Sequence, residues 1–216
     1  MGIAFADIEA ARTRIQDLAQ RTPVEHSRLF DAASGAAAYF KCENLQRGGA
    51  FKIRGALNFL MSLDPAERKR GVVTFSAGNH AQAVAMAAAH LGAAATIVMP
   101  TDAPKAKLAS TQAYHPKIVF FDREREDREA IARRIANETG AVVVPSYDHP
   151  WIVAGQGTAA LELLEEKPDL DAIVVPLGGG GLLSGTLIAA KAFRPNIRIF
   201  GVEPELADDW YRSLQA

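Results

Sequence analysis

Three short segments of this 216-residue chain combine residue types that could do chemistry. The first is Gly178-Gly179-Gly180-Gly181, between an apolar run ending at Val175-Pro176 and a helical stretch opening near Leu182. Four glycines let the backbone turn tightly and bring several N–H groups against a ligand. The helix that follows adds its positive end, which makes a phosphate cradle. No Gly-Lys-Ser/Thr follows, so this is not a P-loop, and Leu183 stands where the dinucleotide spacing requires glycine. A mere flexible turn is the poorer reading, because each glycine loses extra backbone entropy on folding. The second segment is Ser76-Ala77-Gly78-Asn79-His80, again between a strand and a helix. A helix N-terminus with a hydroxyl and an amide suits a carboxylate, and ordinary capping by Ser76 or Asn79 explains the same residues equally well. The third is Ala50-Phe51-Lys52-Ile53-Arg54-Gly55-Ala56. Apolar flanks desolvate Lys52, lower its pKa and make it a better nucleophile toward an aldehyde. On this segment alone, a surface lysine on a helix is the simpler reading.

Taken together, the three segments call for a phosphate, a carboxylate and a carbonyl that a lysine can trap. Pyridoxal phosphate with an amino acid substrate meets that description. The elements that would position them are legible as alternating strands and helices. Apolar runs at Val72 to Phe75, Ala95 to Met99, Ile118 to Phe121, Val142 to Val144, Ala172 to Val175 and Ile197 to Val202 read as strands. Their continuous β-branched character points to coverage on both faces. Helical stretches fall at His80 to Leu91, Ala103 to Ala113, Asp127 to Thr139, Gly155 to Glu166 and Gly181 to Phe193. This alternation implies βαβ units and a mostly parallel sheet. Near the start, Ile8, Ala11, Ile15 and Leu18 sit at helical spacing before a strand at Ala38 to Cys42. The end, from Trp210 to Ala216, shows no clear closing element, so an uncovered sheet face or edge is expected there.

Composition narrows the classes. Apolar residues make up 49% and the formal net charge is -1, so the chain is globular and neither nucleic acid nor an anionic membrane is an expected partner. Cys42 is the sole cysteine, which excludes an intrachain disulfide and points to a cytoplasmic setting. No secretory leader and no membrane-spanning run is expected.

Lys41-Cys42-Glu43-Asn44-Leu45-Gln46 and Gly49 to Ala56 resemble the cofactor-lysine motif of the serine/threonine dehydratase and serine racemase family. Ser76 to Gln82 resembles its substrate-carboxylate loop, and Gly178 to Leu182 its phosphate loop. Gly155-Gln156-Gly157-Thr158 and Gly201-Val202-Glu203-Pro204-Glu205 also match, in the family's order. The resemblance implies an α/β, tryptophan-synthase-beta-like pyridoxal-phosphate fold type II, with parallel sheets flanked by helices. Residues 1–49 and 148–216 would form a large cofactor domain, and residues 50–147 a small α/β domain.

It implies that Lys52 carries pyridoxal 5'-phosphate and later moves the substrate's α-proton, while Phe51 packs on the cofactor ring. Asn79 would hydrogen-bond the ring hydroxyl. Ser76, Gly78, Asn79 and His80 would hold the substrate, and Gly178, Gly179, Gly180 and Gly181 the phosphate. Glu203, the Ala207 carbonyl and Asp209 would take Mg²⁺, which oxygen ligands suit. The implied activity is deamination of L-threonine or L-serine to a 2-oxo acid and ammonia, in a homodimer. 3-Hydroxyaspartate dehydration, serine racemisation and a catalytically silent chain are the alternatives. Ala77 stands where racemases of the family carry a second serine, so elimination is expected to exceed racemisation. Family members continue beyond the length of this chain, so the large domain is expected to be incomplete.

Overall fold

The computed structural model of the chain describes residues 2–216. Met1, the first residue of the expected large domain, lies outside the described residues. The chain runs α1 (Phe5–Ile15), β1 (Val24–His26), α2 (Arg28–Ser34), β2 (Tyr39–Lys41), α3 (Lys52–Ser62), α4 (Pro65–Arg70), β3 (Val72–Phe75) and α5 (Asn79–His90). It continues as β4 (Ala95–Pro100), α6 (Lys105–Gln112), β5 (Lys117–Phe121), α7 (Arg128–Thr139) and β6 (Val142–Val143). It ends with α8 (Pro150–Glu166), β7 (Ala172–Pro176), α9 (Gly181–Phe193), β8 (Arg198–Val202) and α10 (Asp209–Gln215).

The alternation of strands and helices forms parallel sheets, as expected, but two of them. One has four strands in the order β5-β4-β3-β6, and the other is the pair β7-β8; β1 and β2 make a separate antiparallel ribbon. In the larger sheet Val72 lies opposite both Ala95 and Val142. Helices α3 and α5 cover one face around Leu57, Leu60, Val84 and Ile97. Helix α7 covers the other around Val73, Val98 and Ala132. Two covered faces account for the unbroken apolar runs of β3 and β4.

β7 corrects that reading. Ile173 and Val175 are buried, whereas Val174 is exposed, as are Phe200 and Val202 of β8. Among the described residues helices pack on one face of this pair only, around Leu164, Ala190 and Ile197. Helix α8 begins at Pro150 rather than Gly155, because proline suits the first helical turn and the His149 ring accepts the Trp151 N–H. The last residues do close into a helix, α10. Both oxygens of the Glu203 carboxylate accept from its N-terminal amides, Trp210 at 3.3 Å and Tyr211 at 2.7 Å.

Helix α8 is the pivot of the molecule. It is buried without a break from Ile152 to Leu164 and packs against α1, α3 and α9. Two of these contacts are backbone to backbone. A Cβ at Gly155 would lie 2.6 Å from the Arg54 carbonyl oxygen of α3, and one at Gly185 of α9 would lie 2.5 Å from the Val153 carbonyl oxygen. Only glycine permits either approach, so α8 fixes α3 and α9 at once.

Candidate active site

Lys52 is the first residue of α3, and α3 has no side-chain N-cap. Its Nζ donates to the Ser146 carbonyl at 2.8 Å, in the loop between β6 and α8, and lies 5.4 Å from the centroid of the Phe51 ring. Burial holds the ammonium below the usual lysine range. A partly desolvated amine of this kind is neutral at a lower pH and so attacks carbonyls more readily. With about 100° of turn per residue, Arg54 leaves the helix on the side opposite Lys52. There its guanidinium is wholly buried and bonds Glu43, Glu162, the Thr158 hydroxyl and the Gln20 carbonyl.

The Ser76–His80 segment links β3 to α5, and neither Ser76 nor Asn79 caps the helix. The Ser76 hydroxyl instead accepts from the Gly78 N–H at 3.2 Å, which leaves the first amides of α5 without a side-chain acceptor. The Asn79 side-chain oxygen accepts from the Lys107 ammonium at 2.7 Å. His80 turns inward. Its ring is buried, Nε2 lies 3.4 Å from the Val144 carbonyl, and Nδ1 has no partner. Burial, then the Lys52 charge, pushes its pKa down to about 3, so the imidazole is neutral. Its ring therefore faces the core, and only its backbone belongs to the loop's open side.

The four glycines join β7 to α9, whose N-terminus also lacks a side-chain cap. Gly180 has φ 85°, a conformation that side chains with a Cβ resist. A Cβ on Gly179 would lie 2.1 Å from the Tyr147 ring, and one on Gly180 would lie 2.8 Å from the Trp210 indole. The Trp210 indole N–H donates to the Gly178 carbonyl. Ser146 and Tyr147 thus connect two of the expected sites: one accepts from Lys52, and the other packs on the glycine loop. A cleft of about 520 Å³ opens beside them at the carboxyl ends of β3 to β6. Its lining includes Ser76, Ala77, Arg123, Arg128 and Tyr147, but neither Lys52 nor the glycines. The donor set fits pyridoxal phosphate: a desolvated amine, two uncapped helix N-termini, and a glycine turn that side chains would fill.

The expected cation ligands are not drawn together. The Glu203 carboxylate is engaged with the amides of α10, and Ala207 lies in a short 3₁₀ turn before it. Among the described residues no cluster of three or more His, Cys, Asp and Glu is disposed to hold a metal. Ser146, Tyr147, Arg128 and Trp210 had no signal in the sequence: they stand in loops or at helix starts, outside any motif. Arg54 lay inside a motif but pointed to no partner, because Glu162 is 108 residues away.

Comparison with known proteins agrees with this geometry. A family model described as pyridoxal-phosphate dependent enzyme matches residues 15–216. The L-threo-3-hydroxyaspartate ammonia-lyase of Pseudomonas sp. is 55% identical over 98% of this chain and 66% of its own length. The structure of maize serine racemase superimposes with a TM-score of 0.96 at 45% identity, covering 99% of this chain and 65% of that one. The threonine deaminase of T.th. gives 0.91 at 43% identity, covering 98% and 68%. The chain thus spans about two-thirds of the length of the relatives it matches. On its fold and on this match over most of its length, the chain belongs to the pyridoxal-phosphate dependent enzymes of fold type II.

Proposed function

We propose that the protein is an ammonia-lyase that releases a 2-oxo acid and ammonia from a β-hydroxy amino acid, with 3-hydroxyaspartate favoured over threonine and serine. Arg128 carries this reading. Its guanidinium lies 5.5 Å from the centroid of the Phe75 ring, one residue before Ser76, and makes no salt bridge among the described residues. Its neighbours Arg123 and Arg133 are already paired with Asp102 and Glu129. An unpaired arginine beside a carboxylate-binding loop suits a substrate with a second carboxylate.

In this reading the amides of α5 and the Ser76 hydroxyl hold the α-carboxylate, and the α9 N-terminus with Gly178 to Gly181 holds the phosphate. Pyridoxal phosphate, when bound, supplies a carbonyl for the Lys52 amine and a ring that takes up the electrons left as the α-proton departs. Phe51 packs on that ring and Asn79 bonds its hydroxyl. Lys52 takes the α-proton, and the adjacent β-hydroxyl then leaves. Ala77 has no proton to deliver from the other side, which supports elimination over racemisation. Residues 50–147 form the small domain and 1–49 with 148–216 the large one, in a cytoplasmic homodimer. The expected Mg²⁺ at Glu203, the Ala207 carbonyl and Asp209 is not part of this reading, because both Glu203 oxygens already accept amides of α10; thermal midpoints that fall with chelator and recover with Mg²⁺ would restore it.

The test is 2-oxo acid release from L-threo-3-hydroxyaspartate, L-threonine and L-serine, with Lys52→Ala as the blank. Release should be greatest from hydroxyaspartate, and Arg128→Met should remove that advantage. Faster release from threonine or serine would move the assignment to those substrates. Lack of both turnover and the absorption of lysine-bound cofactor would mark the chain as silent.

A further inference from the structure

Helix α3 has no side-chain N-cap, and in its first turn only the Gly55 N–H meets a side chain, the Gln156 Oε1 at 3.3 Å. The Lys52 side chain itself has one hydrogen bond, to Ser146. Arg54, two residues on, is held at six points. Its Nε and Nη2 grip both oxygens of Glu43 at 2.8 Å, and Nη1 and Nη2 grip both oxygens of Glu162 at 2.7 and 2.9 Å. Nη1 also reaches the Thr158 hydroxyl at 3.1 Å and Nη2 the Gln20 carbonyl at 3.1 Å. Lys41 closes the cluster with 2.6 Å bonds to Glu162 and the Thr22 carbonyl.

Two arginine–carboxylate forks in one buried site fix direction as well as distance, because the guanidinium is planar and its donors are rigidly spaced. The forks fasten the first turn of α3 to the turn after β2 and to the C-terminal half of α8, and the bond to the Gln20 carbonyl adds the chain after α1. The apolar contacts of α3 run from Ile53 in its first turn through Leu57 to Leu60 and hold the helix in the fold, but such contacts are non-directional, unlike the paired forks on Arg54. We propose that Arg54, clamped between Glu43 and Glu162, is a positioning residue that sets where the Lys52 amine stands, a role that rests on the proposed part of Lys52 in carrying the cofactor.

The test compares Arg54→Lys, which keeps the charge but loses the forks, with Leu60→Ala, which loosens the same helix from its apolar side. Each protein is loaded with pyridoxal phosphate and given a short borohydride pulse, and the adduct on the Lys52 peptide is counted by mass spectrometry. The absorption of the bound cofactor is followed across pH in parallel. Arg54→Lys should lower the trapping rate at least about tenfold, since small displacements of reacting groups are costly. It should also lower kcat more than it raises KM and shift the pH profile of the absorption. Leu60→Ala should trap within about twofold of the unsubstituted protein, as a helix loosened without changing its first turn keeps its reacting geometry. Should Arg54→Lys not fold, the isosteric Glu162→Gln is read the same way, and it should slow trapping in the same sense. An adduct on Lys52 formed at the unsubstituted rate in Arg54→Lys or in its substitute overturns this role alone. Equal losses in Arg54→Lys and Leu60→Ala also overturn it, since they would mark a purely structural effect. An adduct on another lysine in the unsubstituted protein overturns the reading of Lys52, and this one with it.

Discussion

A lysine amine attacks a carbonyl only in its neutral form, and the burial of Lys52 favours that form at lower pH than an exposed lysine would allow. The glycine loop, proposed to hold the phosphate, faces the opposite demand: it must leave room. Gly180 combines φ 85° with the Trp210 ring at 2.8 Å from a would-be Cβ, so Gly180→Val meets both a strained backbone and a collision. Such strain costs about 1–3 kcal/mol locally. We expect Gly180→Val to weaken pyridoxal phosphate binding by more than tenfold, roughly the effect of that strain, while the far-ultraviolet spectrum stays that of the folded protein. Titration of the cofactor against both proteins checks this, and equal affinities would reduce the loop to a turn. The sequence singles out both Lys52 and Gly180 as candidates, because each sits in a run whose residue types have a local meaning. Arg54 and Arg128 were not read that way. Their proposed roles depend on groups that only the fold brings near: Glu162 for one, and the Ser76 loop for the other.

Among the elements, α8 carries the tightest requirement. A methyl group at Gly155 would meet the backbone of Arg54 and Gly55, at 2.6 and 2.7 Å, where no flexible side chain can give way. Gly155→Ala should therefore part α3 from α8 at a cost of about 1–3 kcal/mol. For a chain of this size that lowers the thermal midpoint by roughly 2–4 °C per kcal/mol. Asp64→Ala is the useful comparison. Asp64 caps α4 in a reciprocal box with Glu67, and its loss should cost about 1 kcal/mol. Calorimetry with borohydride trapping separates the two: both variants melt earlier, but only Gly155→Ala should trap cofactor poorly. Equal trapping would mean that the α3–α8 contact does not bear on the site. The sequence showed most elements where an unbroken apolar run or helical spacing was clear, as in β3, β4 and α7. It misjudged the start of α8, where β-branched Ile152 and Val153 hide a helix that Pro150 and His149 begin. It also missed α10, whose cap comes from Glu203, beyond the helix's own turn.

For the whole molecule, the inward-facing His80 makes stability depend on pH. In the unfolded chain the imidazole takes a proton below its ordinary value of 6.5, whereas in the fold it stays neutral down to about 3. Between those values the unfolded state holds the extra proton, so stability present above 6.5 is lost as the pH falls toward 3. Urea unfolding across this range should give a steeper loss for the native protein than for His80→Gln, by up to about one proton in the linkage slope. Parallel slopes would show that His80 titrates normally in the fold.

Helix α8 gives the assembly a common lifetime. Its amides are buried from Ile152 to Leu164 and its contacts reach α1, α3 and α9, so we expect them to open only when those contacts are given up together. Hydrogen exchange along Ile152 to Leu164 should therefore proceed only through global unfolding, more slowly than in α6 or α10. If exchange there follows global unfolding, Lys52 at the head of α3 and the glycine turn before α9 are lost in one event, and no long-lived fragment keeps that amine without the loop beside it.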